Sequence, residues 1–333
     1  MAYASRHSSY ILGSIGASIQ VVAGWWDVYS HLLFGRVDPW WNPAHLTLYF
    51  GVGLVILAVW RGLRTTQTKP AFATPVRFSN TSGLKLAGFG VIIQIIAGVW
   101  NEIVHHLFLT EPKIAPAHAL LTFGMLIIGF GMIIGLSIEN GMIRHDILIV
   151  SKWKRWLTLA CVILTFASIW LAVAGSLIYI ARVLRGGTVS WPVGVLLAFV
   201  AALVLVPTKR VLPDFGSVTS TGAIFNCVAF VLLVEYAGAP AYVPWGLIPL
   251  ALFDMLVLLA RRVVAFERAV LFSSNVVDLL FYATYYPFTL YLFPWASSFG
   301  LPVMAIVVGG FIGSYLGDKI YSGLASFLLS GAS

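Results

Sequence analysis

Charge is the scarcest property of this sequence. Asp, Glu, Lys and Arg make up 10% of its 333 residues, against about a quarter in a soluble domain. So few charged side chains cannot cover a water-facing surface, which excludes a soluble enzyme. Cysteine is rarer still: Cys161 and Cys227 stand singly within apolar runs. They have neither the paired spacing of a thiolate metal site nor that of a disulfide framework, and both read as packing residues. Acidic residues number 12 against 20 basic ones. In a soluble chain that excess would suggest nucleic acid, but here the basic residues sort by loop, as membrane topology demands. Period-two alternation is missing as well, which excludes a membrane barrel. With no strand there is no strand-borne glycine loop for phosphate, and nothing for nicotinamide or flavin. The first apolar run contains Asp27 and no small-residue cleavage site follows it, so a removed signal peptide is not expected.

What is present is apolar surface: 60% hydrophobic residues and a mean hydropathy of +0.94. A helix needs roughly 20 apolar residues to cross the hydrocarbon layer. Such runs fall near 10–33, 43–60, 85–108, 116–138, 157–181, 191–207, 220–237, 244–260, 270–293 and 301–317. They predict an all-α polytopic transmembrane helical bundle of about ten helices. The connections 61–84, 139–156, 208–219 and 261–269 hold Arg61, Arg64, Lys69, Arg77, Arg144, Lys152, Lys154, Arg155, Lys209, Arg210, Arg261, Arg262 and Arg268. The alternate loops hold only Arg36, Lys113, Arg182 and Arg185. The expected topology therefore has both termini cytoplasmic, with 35–42 and 109–115 on the outer side. Trp25, Trp40, Trp41, Trp191, Trp245 and Trp295 fit an outer aromatic belt.

An internal repeat organises the N-terminal part. Gly16, Gln20, Ala23, Gly24, Trp26, Asp27 and His31 recur 74 residues later as Gly90, Gln94, Ala97, Gly98, Trp100, Asn101 and His105. Both copies continue into a Pro-Ala-His step, Pro43-Ala44-His45 and Pro116-Ala117-His118, and then a Phe-Gly, Phe50-Gly51 and Phe123-Gly124. Each copy reads as a helical hairpin, 10–60 and 85–138. Because each holds two helices, the copies share one topology and are expected to be related by a pseudo-two-fold axis along the membrane normal. The expected division is a four-helix repeat unit over 1–150 and a six-helix membrane bundle of unassigned role over 151–333.

Five histidines lie in these hairpins at the ends facing away from the cytoplasm: His31, His45, His105, His106 and His118. Asp27 and His31, four apart, share a helical face. His45 opens the returning helix just after Pro43 and can face that pair across the hairpin mouth. Two imidazoles and a carboxylate suit copper, iron or zinc. The second copy offers Asn101, His105 and His118. Glu102 and His106 are themselves an i, i+4 pair one residue along, so the frame there is open between the two. For any one of these residues the plainer reading is an interfacial polar group bonded to loop and water; the repetition favours metal.

These residues resemble the membrane C subunit of the particulate copper monooxygenases, the family that hydroxylates methane and oxidises ammonia. The matching motifs are Asp27-x3-His31 followed by His45, and Asn101-Glu102-Ile103-Val104-His105 followed by Ala115-Pro116-Ala117-His118, in that order. The resemblance spans residues 16–125. It implies a copper-binding membrane subunit of an oxygen-activating enzyme acting on a small apolar or nitrogenous substrate. It further implies a multisubunit, oligomeric complex in the bilayer, supplied with electrons by quinol or a redox protein. Two other readings stay open on the residues alone. One is a haem-bearing electron-transfer subunit with histidines as axial ligands, although these histidines lie at one depth. The other is a transporter or metal-handling membrane protein, which the parallel repeat allows. Glu235, Asp254 and Asp278 lie in or near apolar helices, where a carboxylate is expected to face a helix neighbour rather than lipid. Met125, Met132, Met142 and Met255 form no copper-relay pattern.

Overall fold

The computed structural model describes residues 2–34, 41–64, 81–108, 116–144, 151–183, 190–231, 247–277 and 300–330. Glu235, Asp278, Trp40, Trp245 and Trp295 lie outside them, as do the side chains of His31, His105, His106 and Trp191. Every regular element among the described residues is helical. In chain order these are α1 (Ala2–Phe34), α2 (Pro43–Arg64), α3 (Ser82–Phe108), α4 (Pro116–Arg144), α5 (Lys152–Val183), α6 (Ser190–Val211), α7 (Ser217–Phe230), α8 (Leu247–Ala260), α9 (266–277) and α10 (Gly300–Ser330). Among the described residues four stretches are long and apolar enough to cross a membrane: Pro43–Arg64, Ser82–Val104, Pro116–Ser137 and Lys152–Val173. A lipid bilayer is the environment such helices fit.

Helix ends follow local chemistry. Asn42 caps α2, its side-chain oxygen accepting the His45 backbone N–H at 2.7 Å, and Pro43 fills the first helical position, where the missing N–H costs nothing. Arg61 and Arg64 close α2, favourably for the helix dipole. Gly216, at φ 81° just before α7, adopts a left-handed conformation that a Cβ would strain.

Met1–Ala172 and Ser326–Ser333 form one compact unit, and Val173–Ala325 another. In the first, α1 packs chiefly on α2 and α3 chiefly on α4, with α1 also touching α4 and α2 touching α3. Small residues let the helices close. A Cβ on Gly51 would lie 2.8 Å from the Gly16 carbonyl and 2.7 Å from Gln20 Cγ. A Cβ on Gly124 would lie 2.9 Å from the Gly90 carbonyl and 2.5 Å from Gln94 Cγ. Across the hairpins, Tyr10 fills the space over Gly135 and Leu84 the space over Gly62. Partners in one hairpin thus recur at matching positions in the other. Gly51→Leu should destabilise the chain by about 1–3 kcal/mol through overpacking against backbone that cannot yield. Gly53→Leu, where a Cβ meets nothing within 4 Å, should be neutral. Thermal unfolding of both variants in detergent checks the contrast, and equal melting would refute this account of the packing.

α5 adds two polar rungs to α1: Ser168 Oγ donates to Ser18 Oγ at 2.8 Å, and the Trp25 indole N–H donates to the Leu171 carbonyl at 2.6 Å. Trp25 is therefore a buried inter-helix strut, not a member of the outer belt. Its amphipathic ring satisfied both readings, and the Leu171 carbonyl decided between them. Trp41 is exposed, as a belt residue would be.

The second unit holds a buried ion pair. Lys209 at the end of α6 and Asp254 in α8 are each 1% exposed and directly bonded. Lys209 Nζ also donates to the Asp214 carbonyl at 2.9 Å, while Asp254 Oδ2 accepts the Thr219 backbone N–H and hydroxyl, each at 2.8 Å. Asp254 thus faces helix neighbours, as expected of a carboxylate within an apolar helix. Beside this pair Arg210 binds Asp318 at 2.5 Å and Glu267 at 3.2 Å, and Ser274 and Ser314 share a hydrogen bond at 3.0 Å. Cys161 is buried, consistent with packing, but Cys227 is exposed on α7, which corrects the packing role expected for it. A small thiol is apolar enough to sit on an outward face as readily as an inward one.

Candidate functional site

The α1–α2 hairpin brings two of the sequence-derived residues together. His45 Nε2 and Asp27 Oδ1 stand 2.8 Å apart, their side chains 13% and 9% exposed. The cap at Asn42 and the fixed start at Pro43 hold His45 in the first turn of α2, so Asp27 also lies against the positive end of that helix dipole. Trp25, locked to Leu171, anchors α1 two residues before Asp27. One turn along α2, the Tyr49 ring lies 6.2 Å from the His45 ring. The Tyr49 phenol is within electrostatic reach of both Glu102 and Asp27. Met125 of α4 packs over Gly24, one turn below Asp27.

The remaining residues are placed as follows. His31 follows Asp27 by one turn within α1, and His105 and His106 lie near the end of α3. Asn101 and Glu102 are partly buried on α3, and the Asn101 side-chain oxygen is buried with no hydrogen-bond partner among the described residues. His118 sits in the first turn of α4, its carbonyl accepting the Thr122 hydroxyl at 3.0 Å. Among the described residues no three of His, Cys, Asp and Glu converge on a point that would hold a metal ion. Asp27 and His45 do meet.

The 2.8 Å between Asp27 Oδ1 and His45 Nε2 is the distance of a direct ion pair, shorter than the roughly 3.4 Å that separates two ligands on a tetrahedral ion. A carboxylate and an imidazole are nevertheless the donor types that a borderline cation takes. Sequence reasoning overlooked Asn42, whose signal is the Asn-Pro step of a capped helix start. It also overlooked Tyr49, one turn from His45, which no repeat position marks because the second copy has Thr122 there.

No protein-family model matches the chain, and neither a curated protein nor a solved structure matches it.

Proposed function

We propose that this chain is a metal-binding, copper-carrying membrane subunit of an oxygen-activating, monooxygenase-like complex that hydroxylates a small apolar or nitrogenous substrate. The observation that carries this reading is the meeting of Asp27 and His45 at the mouth of a hairpin whose motif occurs twice. Asp27, His31 and His45 would hold the metal, with Asn101, His105 and His118 as a second ligand set and Glu102 and His106 beside it. Bound copper would supply the one-electron and O2 chemistry that no side chain here provides. The chain's own contribution is placement. Asn42 and Pro43 orient His45, Asp27 lies against the positive end of the α2 dipole beside it, and the bilayer brings an apolar substrate to the hairpin mouth. Quinol or a redox protein would deliver electrons, and further membrane subunits would complete an oligomeric complex. A duplication of the hairpin is supported by the matched Gly16–Gly51 and Gly90–Gly124 approaches.

Metal analysis of protein purified in native lipid, with absorption-edge spectroscopy for the element, tests the proposal. Copper near or above one per chain is the expected result. Metal-free active protein, or an optical haem spectrum, would overturn it.

The proposed orientation is ten spans, with cytoplasmic termini and the hairpin mouths outside, supported by the loop charges. Cysteines introduced within 61–84, in a background lacking Cys161 and Cys227, should label only after cells are permeabilised. Labelling from outside intact cells would reverse the topology.

A further inference from the structure

Gln20 and Gln94 occupy corresponding places in the two hairpins, and the outer site uses neither. Gln20 lies mid-way along α1 and Gln94 mid-way along α3, at 0% and 3% exposure. Among the described residues neither the oxygen nor the nitrogen of either amide has a hydrogen-bond partner. The methylenes are pinned against Gly51 and Gly124, so the amides cannot swing out to lipid headgroups. A buried amide without partners costs more than a hydrogen bond returns, and surrounding hydrocarbon offers no relief. A sequence that places the same amide at the same depth twice calls for a ligand at both.

Burial and chemistry narrow what that ligand is. A second chain cannot reach a side chain enclosed in its own hairpin. A cation would satisfy only the amide oxygen and an anion only the NH2 group. Water donates and accepts, and it is small enough to enter. We propose that each N-terminal hairpin holds a water-binding site at mid-helix depth, built on Gln20 in one and Gln94 in the other. Asp27 and Asn101 lie seven residues further along the same helix faces. Buried Ala23 and Leu48 fill the intervening turn in the first hairpin, so its water site is separate from the Asp27–His45 pair and independent of any metal there.

The chain has three glutamines, Gln20, Gln67 and Gln94, so side-chain 15N labelling of glutamine in a Gln67→Lys background leaves two signals. Water-edited solid-state NMR in deuterated bilayers should show transfer from water to both Nε2 atoms. That transfer should be severalfold stronger than to the indole nitrogen of Trp25, which is equally buried but bonded to Leu171 and is read in a parallel sample labelled at tryptophan and assigned with Trp25→Phe. Gln20→Leu, or Gln94→Leu where the first does not fold, assigns the two signals. Transfer at the Trp25 level to both amides overturns the proposal, and transfer to one alone overturns it for the other hairpin.

Discussion

Lys209→Met is expected to destabilise the chain by about 3–5 kcal/mol, the range for removing one partner of a buried ion pair. Asp254 would be left as an anion at 1% exposure, with only the two Thr219 donors to compensate. Asp254→Leu should cost a similar amount by stranding the Lys209 ammonium on the Asp214 carbonyl. The double variant Lys209→Met/Asp254→Leu should recover most of the loss, because the penalty lies in the uncompensated charge rather than in the missing attraction. Glu267→Gln is the control. Glu267 also binds an arginine, but its side chain is 60% exposed, and an exposed pair is worth at most about 1 kcal/mol. Unfolding in mixed micelles measures all four variants. A harmless Lys209→Met, or a double variant no better than either single one, would sink the account.

That ion pair also shows where the sequence could be read and where it could not. Asp254 is conspicuous as a carboxylate inside an apolar run, so its need for a polar neighbour was legible. Its partner was not: Lys209 adjoins Arg210 in what reads as a basic cytoplasmic connection, and the two residues meet across 45 positions of sequence. The helices were legible because apolar runs must be helical in lipid, yet several ends were not. α10 continues to Ser330, past the apolar window that ends near 317, and α1 starts at Ala2 rather than near 10. Polar residues such as Asp318 and Lys319 end hydropathy without ending a helix, since no proline or capping signal follows them. At the hairpin mouth, Pro43 and helical spacing sufficed to set His45 opposite Asp27. Tyr49 and Trp25 depend on contacts with other helices, for which one helix's periodicity carries no signal.

Changing the acid or the amide at the matched positions Asp27 and Asn101 should shift the affinities of the two proposed metal sites. Asp27→Asn should make them more alike and Asn101→Asp should strengthen the second, where Glu102 is the other candidate anion. Asp27 supplies an anion where the second copy has Asn101, and a neutral amide oxygen is a poorer ligand for a divalent cation than a carboxylate. With Asp27→Asn, the first site should retain its shape and lose affinity. With Asn101→Asp, the second should gain affinity, and its side-chain oxygen, buried with no hydrogen-bond partner among the described residues, already lies where a carboxylate oxygen would. His31→Ala and His45→Ala each remove a proposed ligand outright. Since partners one step removed from a metal are worth about 10–100-fold in affinity, loss of a direct ligand should weaken binding by more than that. Metal per chain, measured by mass spectrometry after titration with copper in lipid discs at pH 7, where free imidazole is mostly neutral, separates the cases. The combined His31→Ala/His45→Ala variant should lose the first metal while its helix content, read by circular dichroism, stays at the wild-type level. If that variant binds as much copper as wild type, Asp27 and His45 are an interfacial polar contact, and the metal reading of both hairpins falls with it.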